Sequence, residues 1–194
     1  AVITGGAGSI GITTAKLFLE QGAKVLLVDL DEKSLIDAVE ELGGKNVSYC
    51  VADVTQSADV QRYADEAAKL FGKVDVFFNN AGIEGVVKPV VEYPEEMFDK
   101  VIAVNVKGVW LGNKYIAPLL QDGGSVIMSS SVAGLGGTPG VSAYVASKHA
   151  VIGLMRNLAL ELAARKIRVN TINPSPVDNR MMRSLEEGFA PSHG

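Results

Sequence analysis

The sequence predicts a doubly wound α/β fold, in which helices on both faces of a mostly parallel sheet form three layers, αβα. Two features of the pattern indicate this fold. Short apolar runs alternate with longer amphipathic stretches along the whole chain. Several of the runs, such as 25–28, contain no polar residue, which is typical of strands buried on both faces. Parallel strands need crossovers of the length of a helix, and the intervening stretches supply them.

In chain order, the apolar runs predict strands at 1–4, 24–29, 46–51, 74–78, 124–129 and 167–172. The stretches between them predict helices at 10–22, 31–42, 56–71, 95–121 (broken near Gly108) and 142–164. The last of these has little polar face, so it has to be buried nearly all round. The sheet covers one side, and we expect a second subunit to cover the other. We predict one domain over 1–194, with 175–194 as a mobile lid.

Composition excludes several classes of function. The net charge of −4 argues against nucleic acid or an anionic membrane as a partner. No apolar run reaches the roughly 18 residues of a membrane span, and no signal peptide is visible. Cys50 is the only cysteine, which rules out an internal disulfide and favours a buried structural thiol in the cytoplasm. His149 and His193 have neither the number nor the spacing of a metal site.

A glycine-rich turn, Thr4-Gly5-Gly6-Ala7-Gly8-Ser9-Ile10-Gly11, follows the first strand and opens the first helix. Glycines at this point allow a tight turn and let backbone N–H groups approach a pyrophosphate at the helix N-terminus. The position inside a βαβ unit favours a nucleotide site over an ordinary βα turn. The expected contacts are Gly5, Ser9, Ile10 and Gly11.

Asp29 ends the second strand, where an acid can accept hydrogen bonds from the adenosine ribose and repel a 2′-phosphate. Its alternative role is to cap the helix at 31–42, which Asp31 can do instead. No Arg or Lys lies within the glycine turn or directly after Asp29. The sequence therefore favours NAD over NADP as the cofactor.

Tyr144 and Lys148 lie four residues apart, on one face of the predicted helix. An ammonium beside a phenol lowers the tyrosine pKa and makes it a usable acid or base. Upstream, the fifth strand ends in Ser129-Ser130-Ser131, at the edge of the sheet where ligands bind. A serine hydroxyl there can stabilise a developing alkoxide, whereas the other serines are expected to form local hydrogen bonds.

Together these motifs resemble the short-chain dehydrogenase/reductase family, in its compact single-domain branch, over nearly the whole sequence. Further matches are Asp53-Val54, Asn79-Asn80-Ala81-Gly82, Asn105 in a Val-Asn-Val context, and Ser131 at 13 residues before Tyr144. The resemblance implies four catalytic residues: Tyr144 as acid–base, Ser131 on the substrate oxygen, Lys148 on the tyrosine and ribose, and Asn105 on a relay water. It also implies cofactor contacts from Asp53, Val54, Asn80, Tyr144, Lys148 and Val177, and a homotetramer.

The chain departs from the family pattern at a few positions. Ser9 stands where the compact branch usually has glycine, and Pro174-Ser175 replaces the usual Pro-Gly. The threonine that contacts the nicotinamide amide aligns with Asn179, which can still form a hydrogen bond to it. The family's last strand and helix are absent, and we expect residues to be missing at both ends.

The expected function is NAD-dependent hydride transfer to or from a secondary, and possibly cyclic, alcohol or ketone. The substrate pocket is predicted to be lined by Ile83, Glu84, Val86, Ala133, Leu135 and 181–183. Glu84 and Arg183 are candidate specificity contacts, although ordinary exposed loop charges are the favoured interpretation. The alternatives are a ketoacyl-thioester reductase, disfavoured by Asp29, and a catalytically silent NAD-binding regulator, disfavoured by the complete catalytic set.

Overall fold

The computed structural model describes residues 1–189. Its centre is a six-stranded, all-parallel sheet with the order β3-β2-β1-β4-β5-β6. The strands are β1 (Val2–Thr4), β2 (Val25–Asp29), β3 (Val47–Val51), β4 (Val74–Asn79), β5 (Leu120–Ser129) and β6 (Arg168–Ile172). All six predicted strands are therefore confirmed. Only β5 differs by more than one residue, since it begins at Leu120, which pairs with Val74.

Seven α-helices accompany the sheet in the described part of the chain. They are α1 (Ser9–Glu20), α2 (Glu32–Glu41), α3 (Ser57–Phe71), α4 (Glu95–Ile102), α5 (Val109–Ile116), α6 (Ser142–Glu161) and α7 (Arg180–Phe189). The helix predicted at 95–121 is too long, because α5 ends at Ile116 and a 3₁₀ turn containing Pro118 leads into β5. The expected break near Gly108 is a π-helical segment, Ala103–Gly108, between α4 and α5. Helix α7 was not predicted.

The core confirms the three-layer arrangement. Along β1, Val2 packs into the cluster that contains residues of α3, α5 and α6, whereas the next residue, Ile3, packs against α1 and α2. Leu26 and Leu27 of β2 divide in the same way. Because successive side chains of a strand point to opposite faces, an unbroken apolar run is buried on both sides.

The strand order places the candidate site. β1 pairs with β2 on one side and with β4 on the other, so the direction of winding reverses between the two halves of the sheet. All strands are parallel, and their carboxyl ends therefore lie along one edge. Thr4, Asp29, Asn79 and Ser129 end four neighbouring strands at that edge. Open α/β sheets bind ligands at such a reversal point.

Helix α6 is less buried than its composition suggests. Val151 is buried in the core and Ile152 is buried as well, whereas Leu160 is 80% exposed and Gly153, Arg156 and Asn157 are exposed. The chain by itself thus covers one side of this helix and leaves the outer face exposed, which is the face that we expect a second subunit to cover. A second subunit over the outer face stays a prediction.

Candidate active site

The glycine-rich turn fits closely between β1 and α1. Gly5 has φ +63°, and a Cβ there would lie 3.0 Å from the Cα of Ala81. A Cβ on Gly11 would overlap the carbonyl oxygen of Gly5. No side chain caps the N-terminus of α1, and its first turn contains no acid, so the backbone N–H groups of Ser9, Ile10 and Gly11 lack intrahelical acceptors. The turn therefore combines close backbone approach with free donors, and the exposed Ser9 fits without conflict.

Asp29 connects the end of β2 to this turn. Its Oδ2 accepts a hydrogen bond from the backbone N–H of Ala7 at 3.1 Å, and its Oδ1 accepts one from Leu30 at 2.8 Å. The cap of α2 is Asp31, which accepts from the backbone N–H of Ser34 at 2.8 Å. The capping role considered for Asp29 is thus filled by Asp31, and Asp29 remains beside the turn as a negative charge.

The other predicted cofactor contacts after β3 and β4 are also near the switch point. Asp53 Oδ1 accepts hydrogen bonds from the backbone N–H and hydroxyl of Thr55 at 2.8 and 2.7 Å. Asn80 Nδ2 donates to the carbonyl of Thr4 at 3.1 Å, and its Oδ1 accepts from Ser129 Oγ at 2.8 Å. Val54 packs so closely against Gly108 that a Cβ on Gly108 would lie 2.9 Å from Cγ2 of Val54.

Thr4 is a site residue that the sequence reasoning did not assign. It is fully buried, and its Oγ1 accepts hydrogen bonds from the backbone N–H groups of Asn80 and Ala81 at 2.9 and 3.1 Å. It thereby joins the carboxyl ends of β1 and β4. A threonine at the end of an apolar strand was the available signal, because a buried hydroxyl needs partners.

Lys148 is held from two directions by the serines that end β5. Its Nζ donates to the backbone carbonyl of Ser129 at 2.9 Å and lies 5.3 Å from the ring centroid of Tyr144. Ser130 Oγ donates to the backbone carbonyl of Lys148 at 2.9 Å. Both hydroxyls thus form hydrogen bonds, but with partners distant in the sequence rather than local ones: Ser129 Oγ donates to Asn80 and Ser130 Oγ to Lys148.

The pKa expectation for Tyr144 is not met in this structure. Burial raises the pKa of Tyr144, the hydrogen bond with Ser131 opposes this rise, and the negative charge of Glu84 adds to it. Lys148 does not offset these effects, because its ammonium is directed at Ser129 rather than at the phenol oxygen. Burial also lowers the pKa of Lys148 itself to about 8. The pair is adjacent as predicted, but burial has the larger influence on both groups.

Asn105 lies in the π-helical segment and is completely buried. Its amide pairs with the backbone of Ile83, accepting from the N–H and donating to the carbonyl, each at 2.8 Å. Its Nδ2 also donates to Ser147 Oγ at 3.0 Å, and Ser147 donates to the carbonyl of Tyr144 at 2.7 Å. Asn105 thus connects the loop after β4 to α6, the helix that carries Tyr144 and Lys148. Ser147 was not identified from the sequence.

Glu84 and Arg183, the two candidate specificity contacts, differ in burial and in their ion pairs. Glu84 is buried, and its carboxylate Oε1 lies 3.8 Å from Nη1 of Arg180 in α7, so its interpretation as an exposed loop charge is wrong. Arg183 pairs locally with Asp178 at 2.9 Å, and both side chains are exposed.

Ser131 is buried, and its Oγ accepts a hydrogen bond from the N–H of Ala133 at 3.1 Å.

The segment 175–189 contains the remaining predicted positions. Val177 is 41% exposed, and Ser175 is exposed. The Oδ1 of Asn179 accepts from the backbone N–H of Met182 at 2.9 Å in the first turn of α7. Because this bond uses the carbonyl of the amide, the NH₂ group remains as a donor. The end of the predicted lid, 190–194, lies outside the described residues.

No cluster of His, Cys, Asp and Glu in the described residues could hold a metal ion, and His193 lies outside them. Cys50 is half-buried, and burial raises the pKa of its thiol, as expected for an unreactive cysteine. Within residues 1–189, no helix is long and apolar enough to cross a membrane.

Comparison with known proteins gives a consistent result. The family model for short chain dehydrogenase matches residues 1–189. Levodione reductase of Leifsonia aquatica is 36% identical over 198 residues, which cover 99% of this chain and 74% of that protein. The solved structure of an NAD⁺-bound xylitol dehydrogenase is 36% identical to this chain, with a TM-score of 0.87, and the match covers 91% of this chain and 70% of that one. The structure of a 3-ketoacyl-(acyl-carrier-protein) reductase from Brucella melitensis, complexed with NADH, is 31% identical, with a TM-score of 0.91, and the match covers 96% of this chain and 79% of that one. The chain spans 69% and 68% of the first two curated relatives it matches.

Proposed function

The chain belongs to the short-chain dehydrogenase family, and we propose that it is an NAD-dependent oxidoreductase for a secondary alcohol or the matching ketone. The observation that carries this proposal is the cluster at the carboxyl end of the sheet. The side chain of Ser131 opposes the rise in the pKa of Tyr144, Lys148 lies 5.3 Å from the centre of the same ring, and Asn105 is connected to the backbone of Tyr144 through Ser147. These side chains come from three separate elements and meet at the strand reversal.

The residues present fit a bound NAD. A Cβ at Gly11 would fill the turn, and the uncapped N-terminus of α1 offers backbone donors to a pyrophosphate. Asp29 would bind the ribose hydroxyls and disfavour a 2′-phosphate, since no cation forms an ion pair with it among residues 1–189. Asp53, Val54, Asn80 and Val177 are the further proposed contacts.

In the proposed reaction, bound NAD supplies the acceptor for the hydride that leaves the substrate carbon. Ser131 donates a hydrogen bond to the substrate oxygen, where negative charge develops. Tyr144, as phenolate, takes the hydroxyl proton. Lys148 would bind the nicotinamide ribose, and Asn105 would hold the water that relays the proton to solvent. Because burial raises the pKa of Tyr144, alcohol oxidation should become faster as the pH rises.

A ketoacyl-thioester reductase is the second candidate. Asp29 argued against it through the cofactor, but the similar reductase from Brucella melitensis was solved with NADH. Cofactor preference therefore does not distinguish the two candidate functions. Only a comparison of substrates can distinguish them. A catalytically silent NAD-binding regulator is the candidate from another class, and the complete set of catalytic side chains argues against it.

One assay tests these candidates. The full-length protein is incubated with NAD and a panel of secondary alcohols, or with NADH and ketones including an acetoacetyl thioester, while absorbance of the reduced cofactor is followed. Turnover of alcohols and simple ketones that Tyr144→Phe abolishes would support the proposal. Turnover of the thioester alone would favour the second candidate. Cofactor binding without turnover of any substrate would favour the regulator.

We also propose a homo-oligomer, with a tetramer as the form that family resemblance implies. A groove of about 460 Å³ between α5 and α6 is lined by Trp110, Leu154 and Leu158, and Trp110 is 47% exposed. A second copy would cover this surface. If light scattering at micromolar concentration showed a monomer, the proposed oligomer would be wrong. A cytoplasmic location stays a prediction based on the single cysteine.

A further inference from the structure

Glu84 is a buried carboxylate to which the proposed oxidation assigns no task. Its side chain is only 9% exposed, although acidic side chains are seldom buried so deeply without strong partners. Among residues 1–189, its one ion-pair partner is Arg180. The distance of 3.8 Å is too long for a hydrogen bond, and the Arg180 side chain is 83% exposed. The carboxylate oxygens therefore keep acceptor capacity for a ligand.

The loop that contains Glu84 is fixed on both sides. On one side, both backbone groups of Ile83 are paired with the amide of Asn105. On the other side, the N–H of Val86 donates to the hydroxyl of Tyr93 at 3.4 Å. Because its neighbours are held, the backbone of Glu84 has a defined position from which the carboxylate projects. This is the arrangement expected of a recognition group.

The loop that carries the carboxylate packs against the proposed catalytic residues Lys148 and Asn105. Gly82, two residues earlier, is packed so tightly that a Cβ on it would lie 3.4 Å from Nζ of Lys148. The charge of Glu84 also contributes to the raised pKa of Tyr144. A substrate that places its reacting oxygen on Tyr144 would therefore have a neighbouring part of the molecule within reach of Glu84.

We propose that Glu84 accepts a hydrogen bond from a second hydroxyl group of the substrate, so that the substrate class is diols, polyols and the matching hydroxyketones. This inference rests on the proposed oxidoreductase function and narrows it. A neutral hydroxyl suits the position better than a cationic donor, because Arg180 already supplies positive charge. An alcohol without the second hydroxyl would bury the carboxylate without a hydrogen bond, and sites built for a hydroxyl reject such analogues strongly.

The test compares matched substrates in the full-length protein with saturating NAD. The pairs are butan-2-ol with butane-2,3-diol, and cyclohexanol with the 1,2-, 1,3- and 1,4-cyclohexanediols. For the wild type, we expect kcat/KM for the best diol to exceed that for its mono-alcohol by at least about tenfold, as expected for a hydrogen bond to a charged group. Glu84→Gln should remove most of this ratio by lowering the diol value. The control Glu92→Gln changes an exposed carboxylate downstream in the same connection and should keep the ratio.

The outcomes separate this inference from the function on which it rests. Equal kcat/KM for diols and mono-alcohols in the wild type would overturn the role of Glu84 and leave the oxidoreductase intact. A diol preference that Glu84→Gln retains would do the same. Absence of turnover for every alcohol and ketone would overturn the proposed function and this inference with it. Thermal melting and NAD binding measurements verify that Glu84→Gln folds. If it does not fold, the wild-type ratio of kcat/KM for a diol to kcat/KM for its mono-alcohol decides whether the substrate class is right.

Discussion

Replacing Lys148 with Met should stabilise the protein at neutral pH while it abolishes activity. The ammonium is only 5% exposed, and burial is the cause of its lowered pKa. The native fold therefore carries an unfavourable charge for the sake of its proposed function. Methionine has a similar length and no charge, so it removes this cost and retains most of the packing.

The lowered pKa sets the size of the effect. The difference between 10.5 and about 8, at about 1.4 kcal/mol for each pKa unit, corresponds to roughly 3 kcal/mol. Met leaves the carbonyl of Ser129 without its donor, which costs about 1–3 kcal/mol. We therefore expect a net gain of about 0–2 kcal/mol in the free energy of unfolding at pH 7.

The pH dependence of the stability difference is the sharper measurement. The cost of the lost hydrogen bond to Ser129 is similar at each pH, so it largely cancels when the differences at two pH values are compared. The pKa is lower in the folded state, so the unfolded chain binds more protons between pH 8 and 10.5. Stability of the wild type should thus rise relative to Lys148→Met across this window. Urea unfolding without added cofactor at pH 7 and pH 10.5 should show the difference between the two proteins change by roughly 3 kcal/mol.

The control is Lys45→Met, which alters an exposed lysine on a turn and should change stability by no more than about 0.5 kcal/mol. A stability difference between wild type and Lys148→Met that stays constant from pH 7 to pH 10.5 would refute the reasoning. It would mean that the lysine is charged equally in the folded and unfolded states.

Three further predictions concern the proposed catalytic tyrosine, the cofactor and the glycine turn. Tyr144→Phe should lower kcat by at least about 10² with the dissociation constant for NAD nearly unchanged; retention of a tenth of the activity would exclude Tyr144 as the acid–base group. Asp29→Ala should weaken binding of NAD and narrow its advantage over NADP in titrations, and equal affinities in the wild type would contradict the role of Asp29. Gly11→Ala should destabilise the fold by about 1–3 kcal/mol in urea and abolish NAD binding, because the added methyl overlaps the carbonyl of Gly5. Gly153→Ala, a helix position with open space around it, should stabilise by about 0.5–1 kcal/mol, and equal effects of the two substitutions would refute the packing argument.

Local sequence patterns were sufficient for the sheet and for the positions of the main motifs. The run 25–28 identified a strand buried on both faces, because alternate side chains of a central strand face the two helical layers. The glycine turn identified the reversal point, because its position after β1 is dictated by chain order. The spacing of Tyr144 and Lys148 predicted their contact, since residues four apart on a helix share a face.

Only the tertiary structure decided the environment of these groups. Lys148 binds the carbonyl of Ser129, 19 residues away, and Asn105 joins Ile83 to Ser147 across separations of 22 and 42 residues. No local pattern encodes such partners. The pKa of Tyr144 depends on the same long-range packing, which is why a pair expected to lower it is outweighed by burial.

Glu84 is the clearest example of the difference. In the sequence it is a charged residue in a loop, and loop charges are usually exposed. In the folded chain it is buried, and its ion-pair partner comes from α7, an element that the sequence did not predict. The sequence by itself determined the fold, because the fold depends on short-range periodicity, and the family resemblance supplied the proposed catalytic side chains. The tertiary structure decided which charges are desolvated, since burial is a property of surfaces brought together from distant parts of the chain.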